Sequence, residues 1–128
     1  MPTPLATLLA ARVTSGHGQG KKIGVPTINI DPALLPNSLP QGIYACRVTF
    51  NATTFDGAMH YGPRPVFDDP SVSCEIHILD HEIQVPPSTL DLTIFDKVRD
   101  VQLFPSVQAM TDEIARDITK IRAILHPS

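Results

Sequence analysis

The chain has 128 residues, of which 42% are hydrophobic and 18% charged, with a formal net charge of −3. That length makes one domain, residues 1–128, able to bury roughly two-thirds of its unfolded surface. The acidic balance, the lack of Trp and an aromatic content of 5% speak against nucleic-acid binding, anionic membranes and base-stacking platforms.

No apolar run approaches the length of a membrane-spanning helix. The start, Met1-Pro2-Thr3-Pro4-Leu5, has no basic region before its short apolar stretch and does not read as a signal peptide. Cys46 and Cys74 each stand singly in an apolar strand pattern, so buried free thiols are expected. The expectation is a cytoplasmic monomer with no nucleic-acid or membrane partner.

Residues 8–14 are β-compatible and lead into a glycine-rich stretch at 16–24. Residues 26–30 read as a second short strand, closed by Asp31-Pro32. Pro32, Pro36 and Pro40 then mark an ordered but irregular connection. Residues 42–50 form the clearest strand, rich in β-branched and aromatic side chains. Residues 51–54 turn it into a partner at 55–62, and 63–70 read as a loop. In the strand at 72–79, Val72, Cys74, Ile76 and Ile78 share an apolar face, while Ser73, Glu75 and His77 share the other. After Pro86-Pro87, residues 88–99 alternate again through Leu90, Leu92 and Ile94. About six strands with turn signals between them suit a small barrel or sandwich. The period then changes. Val107, Met110, Ile114, Ile118, Ile121 and Leu125 recur at helical steps, with Ser106 as cap and Pro127 beyond the end.

The stretch Gly16-His17-Gly18-Gln19-Gly20-Lys21-Lys22-Ile23-Gly24-Val25-Pro26-Thr27-Ile28-Asn29 carries the chemistry. Glycines let backbone N–H groups approach an anion, and Lys21 and Lys22 either add charge for phosphate or solvate the loop. Thr27 and Asn29, two apart on an extended piece, set oxygen donors on one face, which suits Mg²⁺ travelling with nucleotide phosphates. A Walker loop needs a longer gap before its Gly-Lys pair, and no helix pattern follows as the dinucleotide fingerprint requires. The residues alone leave a phosphate-and-magnesium loop and an unliganded glycine hairpin both open. The five histidines, at 17, 60, 77, 81 and 126, show no metal-ligand spacing. His77 is expected to make a structural hydrogen bond.

Five motifs then fall in order: Gly24-Val25-Pro26-Thr27-Ile28-Asn29, Pro40-Gln41-Gly42-Ile43-Tyr44, Gly62-Pro63-Arg64-Pro65-Val66-Phe67, Glu75-Ile76-His77, and Arg99-Asp100 with Phe104 before the last helix. Together, over residues 8–125, they resemble the ATP-dependent riboflavin kinase family, whose domain also occurs in bifunctional FAD synthetases. The resemblance implies a mainly β fold, a six-stranded antiparallel Greek-key barrel with one C-terminal helix. It also implies transfer of the ATP γ-phosphoryl group to the 5′-hydroxyl of riboflavin, giving FMN, with Mg²⁺. By motif match, Thr27 and Asn29 serve metal and phosphates, with Gly16, Gly18, Gly20, Lys21 and Gly24 in the nucleotide loop, and Glu75 is the general base. Arg99 and Phe104 fall on the flavin side. Read by themselves, Arg99 could instead pair with Asp100 or Asp96, and Phe104 could belong to core or hinge. The chain departs from the family at Val66, where threonine is usual, and at residues 80–87, which replace a Leu-Tyr-Gly segment. Those departures keep a second expectation open: a flavin- or nucleotide-binding or regulatory module with weakened catalysis.

Overall fold

The computed structural model describes residues 3–14, 27–63 and 71–127. Six strands, β1 (Ala6–Thr14), β2 (Ile28–Ile30), β3 (Gly42–Phe50), β4 (Thr53–Pro63), β5 (Val72–Ile78) and β6 (Thr89–Arg99), precede one helix, α1 (Val107–Leu125). The strands close into an antiparallel barrel in the order β1-β2-β5-β4-β3-β6. The expected mainly β barrel with a C-terminal helix is therefore observed.

Period-2 alternation decides which side chains enter the barrel. Ile28, Ile30, Cys46, Val48, Met59, Cys74, Ile76, Leu90, Leu92 and Ile94 form one buried cluster. Each such aliphatic side chain contributes about 1.5–3 kcal/mol by leaving water. Both cysteines are free and buried inside, and burial pushes the Cys74 thiol up to about 12 and the Cys46 thiol higher still. They are core residues and poor nucleophiles at neutral pH.

Strand ends differ slightly from the sequence expectation. Ala6 and Thr7 extend β1 by pairing with Ile94 and Thr93. Thr53 and Thr54 belong to β4, paired with Phe50 and Thr49, so the hairpin turn shrinks to Asn51-Ala52, both at positive φ (51° and 59°). That handedness matches the strand twist, and it lets pairing run to the turn. Between β2 and β3, Asp31 caps a single 3₁₀ turn at Pro32–Leu34 by accepting from the Ala33 N–H at 2.9 Å. Leu35 is buried there and the Tyr44 hydroxyl donates to the Pro40 carbonyl, so the proline-rich connection is ordered as expected.

The Ser106 hydroxyl accepts from the Ala109 N–H at 3.1 Å and starts α1. The helix lies against the outside of the barrel, where Ile121 and Leu125 pack with Ala45, Leu79 and Phe95. Val107, expected on the buried stripe, is exposed, because the first turn extends past the covered face. At the other end the Arg47 guanidinium donates to the Leu125 carbonyl at 2.8 Å and holds that terminus on the sheet.

Candidate active site

Asn29 and Glu75 stand at the odd positions of strands whose even positions, Ile28, Ile30, Cys74 and Ile76, are buried inside. Both therefore project from the outer surface of the barrel. They are direct cross-strand partners, and successive partners continue the row: Asn29 opposite Glu75, Glu75 opposite His60, His60 opposite Ile43, Ile43 opposite Arg99. Residues far apart in the chain, such as Ile43 and Arg99, are thus direct partners in a row across five strands.

Glu75 is half-buried, and each carboxylate oxygen has a hydroxyl near it. Thr27 Oγ1 donates to Oε1 at 3.4 Å, and Ser73 Oγ donates to Oε2 at 3.3 Å. Bonds this long orient the group weakly. Thr27, Asn29 and Glu75, grouped by motif alone in the sequence, are brought together.

At the far end of the row, Arg99 is engaged on every side. Its Nε donates to both carboxylate oxygens of Asp117 on α1, at 2.9 and 3.0 Å, and its Nη1 donates to the Asp100 carbonyl at 3.1 Å. The guanidinium carbon lies 5.4 Å from the Phe104 ring centroid, a cation–π distance. The expected partners were Asp100 or Asp96. Lys97 takes the Asp100 side chain, and the carboxylate that binds Arg99 is Asp117, which is 2% exposed. Sequence reasoning missed Asp117, although it falls on the stripe spacing between Ile114 and Ile121. A charged residue at a core-facing step is the signal that finds it.

His60 was also missed. It stands between Glu75 and Ile43, and both ring nitrogens are shielded from solvent with no hydrogen-bond partner among the described residues. Burial lowers its pKa and Arg99 lowers it further, while the Glu75 charge and the backbone at His60 and Pro63 partly offset this. Burial likewise lowers the pKa of His77. A histidine held neutral by the fold adds nothing to stability at high pH, where both states are neutral. Below the unfolded value of about 6.5, the unfolded chain takes up a proton that the fold refuses, so stability falls with pH. The depressed carboxyls of Asp80, Asp100 and Glu113 act in a lower window, below the usual carboxylate range. Urea unfolding at pH 7.5 and 5.5 checks this: the wild type is expected to lose stability between them, and His77→Gln to lose less. An equal decline in both proteins contradicts the assignment.

The remaining expected site residues, Gly16, Gly18, Gly20, Lys21 and Gly24, and the Arg64–Phe67 motif residues lie outside the described residues. Gly62, which opens that motif, has φ +149°, and an added Cβ would sit 2.7 Å from Val101 Cγ2, so only glycine fits. An open depression of about 390 Å³ lies elsewhere, beside the Asn51-Ala52 turn. Its one carboxylate, Asp91, is already bound to the Ala10 N–H at 2.8 Å, and it gathers no acid–base pair.

The riboflavin kinase family model matches residues 4–125, which spans every strand of the row and the helix that holds Arg99. The chain belongs to the riboflavin kinase family. Among curated relatives, the RNA-binding riboflavin kinase RibR of Bacillus subtilis is 29% identical over 88% of this chain and 49% of its own length. A bifunctional riboflavin kinase/FMN adenylyltransferase of Pseudomonas fluorescens is 30% identical over 94% of this chain and 39% of its own. A solved structure described as a macrolide-efflux protein from Streptococcus pneumoniae superposes with a TM-score of 0.73 at 26% identity, over 93% of this chain and 38% of that one. The chain thus spans less than half the length of these relatives. RNA binding, adenylyl transfer and efflux are words for those proteins.

The altered segment, residues 80–87, can also be placed. Asp80 pairs with Arg122 near the end of α1 at 2.6 and 2.7 Å, and His81 meets the Phe55 ring edge-on at 5.1 Å. These contacts tie the start of the segment to the helix C-terminus and the start of β4, away from the row through Glu75. Among the described residues, no helix is long and apolar enough to cross a membrane.

Proposed function

We propose that this chain is an ATP-dependent riboflavin kinase, with Glu75 as general base and Thr27 and Asn29 as the metal and phosphate ligands. The observation that carries this reading is the Glu75 carboxylate, on the outer barrel face beside the strand bearing Asn29, with Thr27 and Ser73 hydroxyls at its two oxygens. In the reaction the riboflavin 5′-oxygen forms a bond to the γ-phosphorus while the bond from that phosphorus to the bridging oxygen of ADP breaks. The hydroxyl proton passes to Glu75. Such a transfer asks chiefly for alignment and for neutralisation of charge on the phosphoryl oxygens. A positioned carboxylate adds roughly 10²–10⁴-fold.

The donor set suits magnesium. Thr27 supplies a hydroxyl, Asn29 an amide oxygen, and the described residues hold no cluster of three His, Cys, Asp or Glu. A hard cation that keeps several waters and binds mostly through nucleotide phosphates needs only such a pair. When bound, the ion neutralises phosphate charge; Thr27 and Asn29 would hold it, and Glu75 keeps the proton-accepting role. Lys21 and the glycines at 16, 18, 20 and 24 are assigned to the nucleotide phosphates, and Arg99 with Phe104 to the flavin side. In that role Arg99 acts with its guanidinium already fixed by Asp117.

Binding without turnover is the second reading, motivated by Val66 and residues 80–87. The contacts of Asp80 and His81 with Arg122 and Phe55 favour the enzyme, because they leave the Glu75 row untouched. The test is direct: purified protein with riboflavin, ATP and Mg²⁺, and FMN resolved by chromatography. Sustained FMN formation that stops on chelation is expected. Flavin binding without FMN would replace the enzyme with the module.

A further inference from the structure

The hydroxyl of Ser73 stands between two acceptors. Its Oγ lies 3.3 Å from Glu75 Oε2 and 3.5 Å from the Gly62 carbonyl oxygen. A hydroxyl carries one hydrogen and two lone pairs, so it can donate to one neighbour while it accepts from another. The strands set both neighbours. Ser73 and Glu75 stand two apart on β5 and share its outward face, and Gly62 is the direct partner of Ser73 on β4. Gly62 is itself fixed, because Val101 packs where a side chain would be.

The other carboxylate oxygen has a different neighbour. Thr27 Oγ1 donates to Oε1 at 3.4 Å, and its lone pairs are assigned to the metal, so it serves Glu75 as a donor alone. Ser73 can serve it both ways. We propose that Ser73 is the positioning residue of the general base, and that a turn of its hydroxyl satisfies Glu75 before and after proton transfer. While Glu75 is a carboxylate, the Ser73 hydrogen points to Oε2. Once the substrate's hydroxyl proton sits on Oε2, the acid donates to Ser73 Oγ and the Ser73 hydrogen turns to the Gly62 carbonyl. No covalent bond of Ser73 changes, and the only proton that moves between groups is the one Glu75 receives. Long hydrogen bonds at a catalytic group tighten once the substrate is in place. This role rests on the kinase reading above.

Removing the hydroxyl alone separates this role from a structural one. Ser73→Ala is expected to lower kcat about tenfold, the size of one modest hydrogen bond to a charged group. KM for riboflavin and for ATP should stay within about twofold of the wild type, since neither substrate touches the hydroxyl. Ser73→Thr, which keeps the hydroxyl on a residue that strands favour, is expected to recover most of kcat. A double-mutant cycle decides whether Ser73 acts through Glu75. In the Glu75→Gln background Ser73→Ala is expected to cost nothing further, because the group it serves no longer takes a proton. Unchanged kcat in Ser73→Ala, no recovery in Ser73→Thr, or the same tenfold loss on top of Glu75→Gln each overturns the assignment of Ser73. FMN formation by the wild type, lost in Glu75→Gln, keeps the kinase reading in all three cases. Near-normal turnover in Glu75→Gln removes the base and the role of Ser73 with it. A wild type that makes no FMN overturns the kinase reading and this inference together.

Discussion

Asp117→Ala is expected to destabilise the fold by about 3–5 kcal/mol, because it strands a guanidinium that the structure has taken out of water. Asp117 is 3% and Arg99 14% exposed at the side chain, and the carboxylate takes two Arg99 donors at 2.9 Å from Oδ1 and Oδ2. A domain of this size holds a total of about 5–15 kcal/mol, so the loss removes a large share of it. The same carboxylate links α1 to the end of β6, so the Arg99 end of the row loses its anchor. Urea unfolding of Asp117→Ala and of Asp117→Leu with Arg99→Met reads this out. The double variant should recover much of the loss, since a buried ion pair is often replaceable by apolar packing. A single variant that loses less than about 1 kcal/mol, the range of exposed pairs, contradicts the burial argument.

Glu75→Gln is expected to lower FMN formation by roughly 10²–10⁴-fold while ATP affinity stays near wild type. Glutamine keeps the shape and can still meet the Thr27 and Ser73 hydroxyls, but it cannot take the hydroxyl proton. Turnover gives the first quantity and calorimetric titration with ATP the second. Near-normal turnover would remove Glu75 from the role of base. A parallel collapse of ATP affinity would make it a binding group instead.

The contrast between these two residues shows what kind of information each needs. Glu75 stands in a strand whose alternation is plain, next to His77 in a short motif, and its outward orientation follows from Cys74 and Ile76. Asp117 has no such motif. It sits among isoleucines at helical spacing, and its meaning depends on an arginine 18 residues away. His60 is harder still: nothing near Met59 and Tyr61 distinguishes it, and its place in the row arises only when β4 pairs with β5 and sets Glu75 opposite.

Local chemistry in the sequence determined the inward faces of β5 and β6, the extent of α1, the Ser106 cap and the burial of both cysteines. Alternation, helical period and capping are interactions between near neighbours, so they are written in consecutive residues. Tertiary structure alone decided that β2 lies beside β5, that β1 closes on β6, and that Asn29, Glu75, His60 and Arg99 form one row. It also decided that Arg99 answers to Asp117. Strand order, register and ion-pair choice are set by the burial and closure of distant segments together, a free energy that no single stretch of the chain contains.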